Sequence, residues 1–286
     1  MDLSFRGLVV AFVMFRGIAC AQPAGTRAEG LSLDAILMRL QIHQWEYERN
    51  VPDFFADEWV VSEMHGMHTP QVQTITDSVF RLRRGDRKTF PPVLIETRTV
   101  LSTNSVEAKG GQFNGPSVLI GAFSNGLAMV TLQQRICFNF RMTHHRDVHH
   151  VPTFAIEYEL KPQAVGIPGC LPWPGTRGEA IIDANTFDTL HFQMYVPRYP
   201  IVPDIRGPWR WSVEYAPVVL DGHRYSMPKK IVSESESMDG AFVWTFRAGY
   251  RNYHKTGVHT RIITNLDGQT ESAGHPPGKD SQPPTP

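Results

Sequence analysis

From Gly178 to Tyr253 the chain alternates apolar and polar residues with a period of two, broken every few residues by turn-forming types. Leu190, Phe192, Met194 and Val196 share one phase; so do Trp211, Val213 and Tyr215, and then Phe242, Trp244, Phe246 and Ala248. Upstream, Phe154, Ile156, Tyr158 and Leu160 alternate with Ala155, Glu157 and Glu159. Successive side chains of a strand point to opposite faces, so this pattern demands strands with one buried and one wetted face. Short connections between such runs make antiparallel neighbours, which tolerate one solvated face.

The start of the chain is built differently. After Ser32, a plausible N-cap, Leu33, Ile36, Leu37, Leu40 and Tyr47 recur at helical spacing, predicting an amphipathic helix over about Leu33 to Arg49. Val51-Pro52 stops it, because the residue before proline disfavours helical torsions. Strands are expected at Glu58 to Glu63, Val72 to Arg83 and Val93 to Ser102. Past a loop containing Gly110, Gly111 and Gly115, the segment PSVLIGAFSNGLAMV can begin a helix at Pro116 and end it at Asn125-Gly126, with a strand as the competing reading. The Pro-rich stretches GIPGCLPWPG and VPRYPIVPDIRGP read as loops or edges, since proline lacks a ladder donor. These elements predict an α+β fold: a single curved antiparallel sheet, a half-barrel, with the N-terminal helix and a second short helix on its concave face.

Residues 1–21 have the layout of a removable export signal, with the apolar run GLVVAFVMF ahead of Ala19 and Ala21 and cleavage before Gln22. Lipidation of Cys20 is the rival reading. The organisation expected is thus a signal peptide over 1–21, one domain over 22–266 and a disordered Pro-rich tail over 267–286. The 28 Lys and Arg balance the 28 Asp and Glu, and losing Arg6, Arg16 and Asp2 with the leader changes this by about one charge. That balance leaves no electrostatic footprint for nucleic acid, and no second apolar segment is long enough to span a bilayer. A periplasmic or secreted location follows as an expectation. With Cys20 removed, Cys137 and Cys170 form a lone pair, which in an oxidising compartment reads most simply as a disulfide. Two separate buried thiols remain the alternative; neither cysteine has the flanking motif of a catalytic thiol.

The cadence GEAIIDANTFDTLHF, carried by Gly178, Ile182, Asp183, Thr186, Phe187 and Leu190, and the hairpin SVEYAPVVLDGHRYSMP resemble the lipoprotein-carrier half-barrels of the LolA, LolB and RseB type. In the first, Asp183 can bond backbone amides two residues on. In the second, Asp221-Gly222 can supply the positive torsions of a two-residue hairpin. The resemblance implies an open antiparallel barrel wrapped around helices, with an apolar concavity for acyl chains. It transfers no ligand residue.

Candidate sites come from the residues themselves. The apolar phase of the last strands nominates Phe192, Met194, Trp211, Val213, Trp244 and Phe246 as the lining of a concavity for an apolar small molecule or a lipidated partner. Core filling is the competing role for this aromatic load. His144, His145, His149 and His150, with His65 and His68 elsewhere, could supply imidazole ligands, but HHRDVHH between two strands reads as a solvated hairpin tip, and no metal is expected. Asp57, Glu58 and Glu63 could be paired carboxylates, with Asp57 and Glu63 on one face; without a cleft such residues are expected at the surface. No nucleotide-binding or nucleophile-elbow signature occurs, so no cofactor is expected. Three classes follow: a non-enzymatic periplasmic binder of an apolar ligand or lipidated partner, an envelope scaffold or regulatory protein-binding module, and an unrecognised hydrolase.

Overall fold

A computed structural model describes residues 30–68, 71–85, 94–108, 122–143, 147–148, 151–198 and 207–257. The leader, His144, His145, His149, His150, Pro116 and the tail lie outside the described residues.

Helix α1 spans Leu33–Asn50. The Ser32 hydroxyl accepts from the Ala35 amide at 3.3 Å, Asp34 sits in the first turn where the helix dipole favours negative charge, and the Val51 amide closes the last turn on the Tyr47 carbonyl. Ile36, Leu37, Leu40 and Tyr47 are buried, as their spacing requires.

The second helix, α2 (Ala122–Met129), corrects an expectation: it does not end at Asn125-Gly126 but runs through both. Gly126 serves packing instead of termination. A Cβ placed on it would stand 2.2 Å from the Tyr215 phenol oxygen and 3.4 Å from the Phe192 ring, so only glycine lets this turn of α2 lie on the sheet.

Among the described residues twelve strands follow α1: β1 (Phe54–Gly66), β2 (Val72–Arg84), β3 (Leu94–Thr103), β4 (Val106–Glu107), β5 (Phe138–Thr143), β6 (Asp147–Val148), β7 (Val151–Leu160), β8 (Arg177–Asp183), β9 (Thr189–Val196), β10 (Trp209–Leu220), β11 (His223–Glu236) and β12 (Phe242–Lys255). They form one antiparallel sheet in the order β4-β3-β2-β1-β12-β11-β10-β9-β8-β7-β5, with β6 paired to β7 off this path. The first long strand thus closes against the last, and the path stays open between β4 and β5. The protein is α+β, an open half-barrel with α1 and α2 on one face.

Local turn chemistry matches the residues that encode it. Asp221 and Gly222 take φ values of 54° and 77°, the pair of positive torsions that joins β10 to β11 without splaying them. The Asp183 carboxylate accepts from the amides of Asn185 at 2.8 Å and Thr186 at 3.1 Å, closing the turn from β8 toward β9. Cys137 and Cys170 are bonded, with Cα atoms 5.4 Å apart, tying the residue before β5 to the Pro-rich loop ahead of β8.

Candidate functional site

Register assigns every strand residue to one of two faces. Phe192 pairs with Val213 and Met194 with Trp211; through Ser233 and Ser235 on β11, Phe246 and Trp244 join the same face. The six nominated residues therefore share the face that carries the helices. Five of them are packed there, none more than 5% exposed, while Trp244 is half-buried. Phe192 stacks on Tyr158 and meets Trp211 edge-on, and Trp211 lies parallel to Trp209 at 6.1 Å. The seam leaves polar atoms stranded: the Trp211 indole nitrogen and the Tyr215 hydroxyl are buried without a hydrogen-bond partner among the described residues.

The same inner face carries charge. Glu58 is buried, with the Arg98 Nε at 2.8 and 3.0 Å from its two oxygens and the Tyr250 hydroxyl donating to Oε1 at 2.7 Å. Burial alone would depress the Arg98 guanidinium, but the adjoining carboxylate outweighs it and holds the charge in place. Burial pushes the Tyr250 phenol well above its ordinary value. Glu63, on the opposite face, is also buried; its oxygens accept from Gln73 at 2.6 Å, Gln71 at 3.2 Å, Arg247 at 2.5 Å and Thr245 at 3.1 Å. The surface placement expected for Glu58 and Glu63 is thus corrected. Each is tolerated inside because cross-strand donors satisfy it. Carboxylates engaged in this way are poor general bases. Asp57 stays half-exposed and accepts from the Asn252 amide at 2.7 Å.

Among the described residues no group of three or more His, Cys, Asp and Glu side chains is placed to hold a metal ion. His65 and His68 are exposed.

A wide concave feature lies on the other side of the sheet. A groove of about 1010 Å³ crosses β5, β7, β8, β9, β10 and β11 on the face opposite the helices. Two ranks of side chains border it, two residues apart along each strand. One rank reads Arg141, Glu157, Glu179, Gln193, Ser212 and Val232; the other reads Asn139, Glu159, Arg177, Tyr195, Arg210 and Glu234. At its middle Tyr195 has guanidinium groups from the strands on either side, Arg177 at 4.5 Å and Arg210 at 5.4 Å from the ring centre. Met194 and Trp211 touch this groove from the intervening positions; the other nominated residues do not line it. A smaller cavity of about 210 Å³ sits between α1 and the ends of two hairpins, bordered by His43, Tyr47, Phe187, Asp188 and Tyr225.

The groove was not read from the sequence. Its signal exists, as polar or tyrosine residues two apart in five of the six strands, with Val232 the apolar exception in β11, but only the pairing register turns those separate alternations into ranks.

No family model and no curated protein matches this chain. Among solved structures it is similar to a LolA superfamily protein from Nitrosomonas europaea, at 11% identity over 80% of this chain and 95% of that one, with a TM-score of 0.34. It is also similar to a DUF1329 family protein from Desulfovibrio piger, at 9% identity over 76% and 90% with a TM-score of 0.34. A third is the MucA/MucB complex of Pseudomonas aeruginosa, at 11% identity over 74% and 93% with a TM-score of 0.24. Likenesses of this size do not assign the chain to a family.

Proposed function

We propose that the chain is an exported, non-enzymatic binding module of the periplasmic envelope that holds an extended segment of a partner polypeptide in the outer groove. The groove carries this reading: it is long, open and bordered by charged and aromatic side chains, whereas the inner face is packed over most of its nominated lining. Six strands at about 4.8 Å spacing make it roughly 24 Å long, the reach of about seven extended residues. Export is supported by the leader pattern and by the Cys137–Cys170 bond, a pairing that oxidising compartments maintain. The test places a photo-crosslinking residue at Ser212 in the groove or at Trp244 on the inner face, in cells with an intact envelope. A discrete polypeptide adduct at position 212 is the expected result; adducts confined to position 244 overturn the reading.

A second reading, carriage of an apolar ligand or a lipidated partner on the inner face, is favoured by one observation. The stranded Trp211 and Tyr215 polar atoms make the closed seam costlier than a fully satisfied one, by about 1–3 kcal/mol per group, which lowers the cost of displacing α2. Phe192, Met194, Trp211, Val213, Trp244 and Phe246 would then meet the ligand. Acyl-chain mass on the position-244 crosslink would support it.

A further inference from the structure

Independently of the groove, we propose that the small cavity between α1 and the hairpin ends binds a neutral, polyhydroxylated ring of monosaccharide size.

Two features of its walls are unfavourable for folding alone. On α1 the buried stripe of Ile36, Leu37, Leu40 and Tyr47 includes Gln44, only 6% exposed, where a leucine would complete the apolar face. Its Nε2 donates to Glu48 at 2.5 Å, while Oε1 is buried without a hydrogen-bond partner among the described residues. The terminal amide torsion of glutamine is broad, so a turn of that group brings Oε1 to a ligand. In the turn from β8 to β9, Phe187 holds a φ of 61°, a conformation that bulky side chains rarely adopt. Its ring stacks on Phe154 at 6.1 Å and carries the Arg39 guanidinium 4.5 Å from its centre. Strain held in place by such contacts at a cavity wall points to a function for that wall. The remaining aromatic side is fixed as well: Tyr225 meets Tyr47 edge-on and donates its hydroxyl to the Asn50 carbonyl at 2.9 Å.

The polar groups select the ligand class. The Asp188 carboxylate already accepts from Arg224 at 3.0 Å, Thr186 at 3.0 Å and Ser226 at 3.1 Å, so its charge is matched and about one acceptor position remains. The other bordering carboxylate, Glu46, is exposed and screened by water. An ionic ligand would therefore lose its hydration without gaining a free counter-charge inside. What the walls do offer is mixed, with acceptors at Gln44 and Asp188 and the imidazoles and hydroxyl of His43, His223 and Thr189 beside them. A hydroxyl both donates and accepts, so a ring bearing several answers such a lining, and its C–H surfaces suit the aromatic walls. Size narrows the class further. A volume of about 210 Å³ equals about seven waters at about 30 Å³ each, which admits one sugar-sized ring and excludes a disaccharide.

The probes are D-glucose, D-galactose, D-mannose and N-acetyl-D-glucosamine, with D-glucosamine and D-glucuronate as cationic and anionic comparators, each titrated into the disulfide-bonded mature protein through the millimolar range. At least one neutral probe should shift the Gln44, Thr189 and Tyr225 amides, raise the melting temperature with concentration, and bind about tenfold tighter than either charged comparator. Gln44→Met keeps the side chain's length and should abolish those shifts. The unliganded variant should melt no lower than the parent, because the unpartnered acceptor is lost together with the Glu48 bond. Thr189→Val keeps its shape and should weaken binding severalfold, which decides the matter if Gln44→Met does not fold. Glu46→Gln should leave neutral-probe binding unchanged. Binding of no neutral probe, a charged comparator bound as tightly, or undiminished binding in both Gln44→Met and Thr189→Val overturns the proposal. So do shifts confined to Gln193, Tyr195 and Ser212, which would put the sugar in the groove.

Discussion

Tyr158 crosses directly over Gly178 and donates its hydroxyl to the Gln193 carbonyl at 2.8 Å, reaching from β7 past β8 to β9. A Cβ on Gly178 would lie 2.1 Å from that carbonyl and 2.3 Å from the hydroxyl. Gly178→Ala should therefore cost about 1–3 kcal/mol through overpacking, read as a drop in denaturant midpoint. Tyr158→Phe alone should cost about 1 kcal/mol for the lost hydrogen bond. The double variant should not recover, because the backbone carbonyl still blocks the methyl. Full recovery in the double variant would show that the phenol alone requires the glycine.

The Glu58–Arg98 pair makes a sharper prediction. Arg98→Met strands a carboxylate on an apolar face and should destabilise by about 3–5 kcal/mol. Glu58→Leu with Arg98→Met removes both charges and should be closer to the parent than Arg98→Met by itself. Tyr250 complicates the cycle only modestly, since its hydroxyl loses one acceptor in the double variant. If the single and double variants unfold at the same denaturant concentration, the pair is uncoupled and the cluster is not what anchors β3 to β1 and β12.

Cross-linking Cys137 to Cys170, separated by 33 residues, shortens the loop available to the unfolded chain. Replacing both with serine should lower stability by roughly 3–4 kcal/mol in the chain-entropy account. Thiol titration of unreduced native protein should detect neither cysteine. Detection of both, or a serine pair as stable as the parent, contradicts this.

Local signals were legible where one short segment sets its own geometry. Ser32 starts α1, Asp183 closes its turn and Asp221-Gly222 makes its hairpin, each within a few residues. The common face of Phe192, Met194, Trp211, Val213, Trp244 and Phe246 was legible too, because period two within a strand survives whatever the strand pairs with. Long-range pairing was not. Glu58 is buried because β1 meets β12 nearly two hundred residues later and Arg98 forty residues later, and no property of the DEW tripeptide reports either partner. Gly126 shows the same limit: next to Asn it reads as a helix end, and its true role depends on Tyr215, which no local rule supplies.

Glu63 should give the protein part of its acid sensitivity. The Gln73 amide leads the groups that hold its carboxyl below the usual range; burial opposes them, and Thr245 and Arg247 assist. A carboxyl whose folded value is depressed binds fewer protons folded than unfolded, so its stabilising contribution is fully present above the unfolded value and disappears as pH falls through the folded one. Above about pH 5, where an unfolded glutamate is largely ionised, Glu63→Gln should lower the melting temperature by a constant amount. That gap should narrow steadily as pH falls below 4.5, the ordinary value from which this group is displaced. His65 lies 4.0 Å from the carboxylate, so Glu63→Gln should be repeated with His65→Gln to separate any histidine contribution near neutrality. Thermal unfolding between pH 3 and pH 7 decides the matter: a gap that stays the same across the whole range would mean that Glu63 acts through packing and hydrogen bonding alone, with no contribution from its charge.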